Sequence, residues 1–538
     1  MEDSMSGVVL EMLWCVLILI VVSWVMIRVC DTVWLKPRRI RSTLSKQGIA
    51  GPKSSFFYGN VKQMQSMMEE STVTTTNCPS SSSSDVQPPV SHHQWLRSIF
   101  PYIQIWARRY GRMYMFSTGM QQHLLVNEAE LIKELKLHKS LDLGKPSYLT
   151  KALEPMLGNG IIKANGHHWS FQKKLIAPEF FLHKVKGMVG LMEECTMAMI
   201  STWERRLSQS NRLGLAAATL DDHEFMVDQD LRGLSADIIS RACFGSSYSQ
   251  GKNIFAKLRG MQEALSHQSL VFGLPNFRFL PTKSNREIWR LKREVEDLIL
   301  KVVNKGRQEA SQKDLLQMIL ESAATDSELH QDKRKTERFI VDNCKNIYFA
   351  GYETTALSAS WTLMLLALHP QWQQRVRAEI IENGSLDNMD KLNQLKTLTM
   401  VIQESLRLYA PSVMVAREAF ADIKLGDFQL PKGVHVWSFI PELHRDPDNW
   451  GPDAGEFKPE RFAGGISEAC KYPQMYIPFG YGTRLCIGQT FAMLELKVVL
   501  SLLLSRFSFS LSPNYRHSPV YKMLVMPQHG MRLIVKGV

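Results

Sequence analysis

The 538-residue chain has little cysteine, eight residues in all, and no two of them form a C-x-x-C pair. That excludes a disulfide-built secreted scaffold and gives no support to a zinc ribbon or a thioredoxin-like redox site. No G-x-G-x-x-G opens a strand-to-helix turn, since Gly158-Asn159-Gly160 lacks the third glycine, and there is no Walker loop. The chain therefore shows no flavin, nicotinamide or nucleotide-phosphate site of its own. Internal repeats are absent, as are Ser/Gly linkers after about Trp95. With 45% hydrophobic and 22% charged residues, a mainly disordered chain is excluded. The length suits two to four ordinary domains or one unusually large core.

Lysine and arginine number 64 against 52 acidic residues, a net +12 that suits nucleic acid, an anionic membrane, an acidic partner or solubility alone. Its distribution favours the membrane. Residues 12–27 carry no charge, Arg28 can snorkel, and Trp14 and Trp34 stand 20 positions apart. At ~1.5 Å per residue that is roughly 30 Å, one hydrocarbon thickness with an aromatic at each interface. No small-x-small cleavage site comes after it, which disfavours a removed signal peptide. Lys36, Arg38, Arg39, Arg41 and Lys46 crowd the carboxyl side and orient the rest of the chain toward the cytosol. The expected order is a lumenal amino terminus (1–11), a transmembrane signal-anchor helix (12–35), and a basic juxtamembrane segment with a hinge at Gly48, Gly51 and Pro52 (36–60). A Ser/Thr/Pro-rich, poorly ordered insertion (61–94) and a catalytic domain (95–538) complete it.

From Trp95 onward apolar residues recur at three-and-four spacing, with few strand-like pieces, so the domain reads as mainly α with minor β. The most informative segment is Phe479-Gly480-Tyr481-Gly482-Thr483-Arg484-Leu485-Cys486-Ile487-Gly488. Its glycines allow tight turns, and an apolar helix comes next, so Cys486 lies just before a helix amino terminus. There the helix dipole favours a thiolate below the free-cysteine pKa of about 8.5. With no neighbouring Cys or His to complete a tetrahedral site, one sulfur suggests an axial ligand on a macrocyclic iron. A buried structural cysteine in a glycine-rich turn is the plainer alternative.

Residues 338–369 read as one long helix ended by Pro370. Its middle holds Ala350-Gly351-Tyr352-Glu353-Thr354-Thr355, where glycine alone costs ~1 kcal/mol against alanine. Small residues there would make room for dioxygen, a hydroxyl could bend the helix, and a carboxylate could relay protons. The bland reading is a kinked core helix with an exposed glutamate. Glu404 and Arg407, three apart, have the spacing of a surface pair worth only ~0.2–0.5 kcal/mol.

Together, F-x-x-G-x-R-x-C-x-G, A-G-x-E-T-T, E-x-x-R and Pro459-Glu460-Arg461-Phe462 resemble the signatures of the cytochrome P450 family, over residues 95–538. The resemblance implies that fold and haem b (iron protoporphyrin IX) with Cys486 as the metal ligand and Phe479 against the porphyrin. It implies Thr354 and Glu353 as the oxygen-side hydroxyl and proton-delivering acid, and Glu404, Arg407 and Arg461 as interlocked support beneath the cysteine loop. For the two propionates it nominates Trp169, Lys173, Arg417 and Arg484. Lys173 stands where arginine is usual, which forfeits a bidentate fork, and Ala410 stands where a second proline commonly precedes Pro411. Electrons would come from an NADPH-dependent flavoprotein reductase, with Lys173 and Lys174 as docking candidates, and membrane-bound members sit in the endoplasmic reticulum. No nucleic acid partner is implied.

Segments such as DNCKNIYFAGYETTA and ELHRDPDNWGPDAGEFKPERF look like the plant branch oxidising gibberellins, kaurenoid acids and, in some members, pentacyclic triterpenoid acids. The implied activity is hydroxylation of such a polycyclic terpenoid by dioxygen. Residues 411–415, Met414 foremost, and positions near Tyr521 would line its pocket. Two rivals stand beside it. One is a haem-thiolate isomerase or dehydratase that needs no reductase; the other is a non-catalytic haem-binding sensor.

Overall fold

The computed structural model describes residues 2–76, 95–212, 223–245, 248–266, 279–308, 315–325, 332–384 and 389–538. Over these the chain is mainly helical with minor sheet. The helices that matter for the site are, in chain order, α1 (Glu2–Cys30), α2 (Lys36–Lys46), α3 (Val61–Thr76), α4 (Gly166–Ile176), α5 (Val227–Phe244), α6 (Lys333–Leu368), α7 (Lys396–Leu408) and α8 (Gln489–Arg506).

Helix α6 is the spine. Asp332 caps it by accepting from the amides of Arg334 and Lys335, and Pro370 ends it because the residue before proline is turned away from helical angles. From Phe339 to Ala367 nearly every side chain is buried, as expected of a helix packed on all sides. It crosses α5 closely because residue 351 has no side chain: a Cβ there would meet Ile239 Cγ1 at 2.5 Å. Glycine in this helix interior therefore lets the Ile239 side chain of α5 pack onto the α6 backbone, which offsets its propensity cost.

The principal sheet has five strands, β1 (Met113–Thr118), β2 (Gln121–Val126), β3 (Leu143–Gly144), β4 (Met414–Ala419) and β5 (His435–Phe439), in the order β1-β2-β5-β4-β3. Only β2 and β5 run parallel, with Leu124 opposite Val436; the other pairs are antiparallel. Its apolar face forms a core cluster separate from the main helical one, and Ile40 and Leu44 of α2 belong to it.

The amino-terminal region departs from expectation. α1, a five-residue π-helical turn (Asp31–Leu35) and α2 run on without a break, and residues 12–46 are long and apolar enough to cross a membrane. The expected hinge is pinned to the sheet. The Gln47 side chain exchanges two hydrogen bonds with the Gln429 backbone, at 2.9 and 2.6 Å, and the Met115 amide donates to Ala50 O at 2.9 Å. Gly51 serves close approach, since a Cβ there would fall 1.8 Å from Met115 O. Residues 61–76, expected within the poorly ordered insertion, form α3, which buries Val61 and Met64. The remaining insertion residues, 77–94, lie outside the described set.

Glu495, on α8, is fully buried, and neither carboxyl oxygen has a hydrogen bond of ordinary geometry among the described residues. Burial pushes its carboxyl up from 4.5 to about 8, which the neighbouring Ser235 hydroxyl only partly offsets. Between those values the folded chain holds a proton that the unfolded chain has released, so folding stability falls as pH rises across that window, by at most about 1.4 kcal/mol per pH unit. Glu495→Gln is expected to abolish that contribution, read as a flatter dependence of the urea midpoint on pH from about 5 to about 8.

Candidate active site

The cysteine loop turns at Gly480 and Gly482, both at positive φ (+78° and +69°), and closes where the Cys486 amide donates to Phe479 O at 3.0 Å. A short 3-10 turn (Gly482–Arg484) precedes Cys486, and α8 begins three residues after it. The sulfur is exposed to a cavity of about 350 Å³. Burial pushes the Cys486 thiol up, and the Gly488 amide only partly counters it. This corrects the expectation of a lowered value: without a cation at sulfur, desolvation outweighs the helix dipole, whereas metal coordination deprotonates a thiol outright.

Facing the same cavity from α6 are Ala350, Gly351, Thr354 and Thr355. The Thr354 hydroxyl donates back to Ala350 O at 2.6 Å. Glu353 points elsewhere. It is 1% exposed, does not line the cavity, and accepts from Arg232 Nε on α5 at 2.9 Å. Arg232 Nη1 also donates to Asp228 Oδ2 at 2.6 Å. Burial works against the Arg232 charge, but Glu353 and Asp228 outweigh it and hold its pKa above the usual value. The exposed-glutamate reading is thus excluded. Glu353 Oε2 has no hydrogen-bond partner among the described residues.

Four cations, Lys145, Lys173, Arg417 and Arg484, line the cavity, and among the described residues no aspartate or glutamate does. Arg484 Nη2 donates to Asn165 Oδ1 at 2.8 Å, its guanidinium lies 4.2 Å above the Trp169 ring, and its Nη1 is buried without a partner. Burial, then Arg417, lowers Arg484 to about 9. Arg417 donates Nη1 to Ala416 O at 3.0 Å, and burial lowers its pKa. Lys145 is the residue that sequence reasoning missed: burial, then Arg417 and Arg484, pushes it down to about 7. Asn165 holds its backbone in place, accepting from Lys145 N at 2.7 Å and donating to Lys145 O at 2.9 Å. No motif surrounds Lys145; only tertiary packing reveals it. Lys173 Nζ donates to Thr483 O at 2.6 Å. That inward orientation removes Lys173 from the docking candidates, while Lys174 is exposed.

Cations so placed leave a charge deficit that a dianion relieves. An apolar macrocycle carrying two carboxylates and open to one sulfur fits the donors present. Cys486 would hold its iron, while Lys145, Arg417 and Arg484, with Trp169 and Lys173, would hold its carboxylates.

The cavity wall is braced by α6. Asn159 N donates to Asp342 Oδ2 at 2.7 Å, Ile161 N to Asn343 Oδ1 at 3.1 Å, and Ile162 N to Asn346 Oδ1 at 2.9 Å. Ile161 and Ile162 line the cavity. Gly158 and Gly160 permit this approach, because a Cβ would fall 1.8 Å from Asp342 Oδ1 and 2.3 Å from Asn346 Nδ2 respectively. Pro411, Ser412, Met414 and Val415 also line it, whereas Val413 packs into the core. Tyr521 is not on this wall; it packs edge-on against Phe100 at 5.3 Å between ring centres.

Glu404 and Arg407, spaced like a surface pair, are wholly buried and joined by two hydrogen bonds of 2.7 and 2.8 Å. Arg407 also donates to His444 O, Ala454 O and Glu456 O at 2.7, 2.6 and 2.8 Å. Arg461 reaches Glu404 at 3.5 Å and Asp453 at 2.7 Å. His444, unforeseen from sequence, connects this cluster to the cysteine loop. Burial, then Arg407, drives its pKa down to about 3, so the ring is neutral. Its Nε2 accepts from Ile477 N at 2.9 Å, which leaves the proton on Nδ1, 3.2 Å from Arg407 O.

A family model described as Cytochrome P450 matches residues 85–535. Cytochrome P450 714A2 of Arabidopsis thaliana is 45% identical over 530 residues, covering 96% of this chain and 97% of that protein. Cytochrome P450 714C2 of Oryza sativa subsp. japonica is 47% identical over 508 residues, 94% of each chain. Cytochrome P450 714B3 of Zea mays is 43% identical over 507 residues, 94% of this chain and 92% of that one.

If Lys145 holds a carboxylate of the macrocycle, Lys145→Met removes a charge-assisted contact worth ~1.5–3 kcal/mol, so the porphyrin is expected to escape to excess apomyoglobin roughly 10- to 100-fold faster. An unchanged transfer rate, monitored by absorbance, would exclude that role.

Proposed function

The chain belongs to the cytochrome P450 family of monooxygenases, and from that membership we propose that it hydroxylates a polycyclic terpenoid. The substrate is a gibberellin-type or kaurenoid diterpenoid acid or a pentacyclic triterpenoid acid. The observation that carries this reading is one cavity with a single sulfur, four uncompensated cations and walls of Ile161, Ile162, Ile239, Ile347, Pro411 and Met414. Such walls suit a rigid apolar skeleton, and Ser358 and Ser412 add two polar groups.

Cys486 would hold the haem as its thiolate ligand, and the group so held would supply activation of dioxygen. Met414, Ile161 and Ile162 orient the substrate and exclude water from it. The Thr354 hydroxyl donates to Ala350 O until a better acceptor enters the cavity. Glu353 feeds protons to that side of α6. Its unpartnered Oε2 supports this role, and its bond to Arg232 must loosen for it to act. Glu404, Arg407 and Arg461 support the cysteine loop from beneath, and Phe479, on the cavity wall, would pack against the porphyrin.

The chain shows no flavin or nicotinamide motif, so electrons come from a separate NADPH-dependent flavoprotein reductase. The apolar helix at the amino terminus and the basic residues after it support a single-pass anchor in the endoplasmic reticulum membrane, with the catalytic domain in the cytosol.

Coexpression with a plant reductase in a host supplying both acid classes, under isotopically labelled dioxygen, is expected to yield an alcohol carrying one labelled oxygen. Turnover without reductase, or no product from either class, overturns the reading. Reduced protein under carbon monoxide should show the red-shifted Soret band of thiolate ligation, and Cys486→Ser should lose it. Thr354→Ala is expected to raise NADPH consumed per product formed; unchanged coupling counts against its proton role.

A further inference from the structure

Trp361, Tyr409, Tyr515 and His517 form a connected group that the cavity does not use, since none of them lines it. Tyr409, at the carboxyl end of α7, and Trp361, on α6, are fully buried and stacked, with ring centres 4.5 Å apart and planes 14° from parallel. The stack stands directly behind the cavity wall. Trp361 Nε1 donates to Val525 O at 3.2 Å, Val525 N donates to Pro411 O at 3.0 Å, and Pro411 lines the cavity. Ser358 and Leu406 line it too, each three residues before one of the stacked rings, which is about one helical turn.

The hydrogen bonds fix where each proton sits. A thioether sulfur accepts but cannot donate. The Tyr515 hydroxyl donates to Met364 Sδ at 3.1 Å, so its oxygen is left to accept from His517 Nδ1 at 2.8 Å. Burial lowers His517 to about 4, which keeps the ring neutral with its one proton on Nδ1. Nε2 therefore accepts, and the Tyr409 hydroxyl, 3.2 Å away and within proton-transfer reach, donates to it. Indole and phenol are readily oxidised by one electron, and stacked rings pass an electron between them. Trp95 stacks on Tyr409 at 6.2 Å, but the Arg445 guanidinium lies 5.0 Å over the Trp95 ring. That cation disfavours a second positive charge on Trp95, so oxidation stops at Tyr409.

We infer that Tyr409 and His517 form an oxidation site that protects the chain when an oxidising equivalent raised from dioxygen in the cavity finds no substrate. One electron passes from Tyr409 through Trp361 to that oxidant, which is reduced by one electron. The phenolic O–H breaks and an N–H forms at His517 Nε2. This leaves a neutral tyrosyl radical and moves the positive charge to a ring that is partly exposed. A soluble thiolate then returns one electron to Tyr409 while His517 returns the proton, and two of the resulting thiyl radicals pair as a disulfide. The inference rests on the monooxygenase chemistry under Proposed function.

The full-length, haem-loaded chain without substrate, mixed with a peracid and rapidly frozen, is expected to show a tyrosyl radical by electron paramagnetic resonance. Tyr409→Phe, which keeps the stack, is expected to lose that signal. His517→Gln, whose amide is no base, is expected to lower its yield roughly tenfold or more, and the control Tyr110→Phe to keep it. Added glutathione shortens the life of the radical in the unchanged chain. The carbon monoxide Soret band reports whether each variant retains its haem site, and should Tyr409→Phe lose that band, His517→Gln decides alone. An unchanged yield in an intact Tyr409→Phe or His517→Gln, an equal loss in Tyr110→Phe, no tyrosyl signal beside a normal Soret band, or a lifetime indifferent to glutathione overturns this inference alone. A missing Soret band in the unchanged chain overturns the haem-thiolate reading and this inference with it.

Discussion

The cavity concentrates positive charge that nothing in the described chain neutralises. Lys145, Lys173, Arg417 and Arg484 all face it and no carboxylate does. An unpaired buried cation is costly, and lowered pKa values at Lys145 and Arg484 are the physical sign of that cost. The arrangement makes sense for a chain completed by a dianion. Asn165 and Trp169 then read as scaffolding: one pins the Lys145 backbone and an Arg484 nitrogen, the other lies beneath the Arg484 and Lys173 side chains. Binding and folding are coupled in such a site, because the ligand removes a penalty that the apoprotein carries alone.

The spine helix divides labour between its faces. One turn of α6 presents Thr354 to the cavity and Glu353 to Arg232 of α5, so adjacent residues serve a cavity wall and a buried ion pair. Roughly two to three turns earlier, Asp342, Asn343 and Asn346 reach across to backbone amides of the 158–162 segment, a stretch without regular secondary structure to satisfy them. The wall that Ile161 and Ile162 give the cavity is thereby tied to the same helix that carries Thr354.

The chemistry readable in the sequence was the part written in contiguous spacing. Cys486 in its glycine loop, the Gly351–Thr355 cluster and the Glu404–Arg407 interval all stand within a dozen residues of their context. Lys145 was illegible because its partners, Asn165, Arg417 and Arg484, are brought to it by tertiary packing. The direction of Glu353 was illegible for a similar reason: position along a helix says nothing about which neighbour holds the opposite charge. Helix α3 was missed differently. Val61, Met64, Met67 and Met68 carry a helical period, but the Ser/Thr composition immediately after them drew the reading toward disorder. At residue 51 glycine is room for another backbone, a role that no local pattern distinguishes from conformational freedom.

The buried ionic cluster beneath the cysteine loop is best understood as a template. Exchanging such a pair for apolar residues is often neutral or stabilising, so its presence argues for geometry more than for stability. Arg407 makes that geometry concrete: its guanidinium gathers the carbonyls of His444, Ala454 and Glu456, which lie outside regular strands or helices and have no ladder to join. A hydrocarbon side chain of the same volume would leave three buried acceptors unmet. The neutral His444 ring then carries the constraint onward, one nitrogen to Arg407 O and the other to Ile477 N, immediately before the loop that ends in Cys486. A chain of hydrogen bonds that begins at a carboxylate on α7, away from the cavity lining, thus ends at the residue two positions before the cysteine loop.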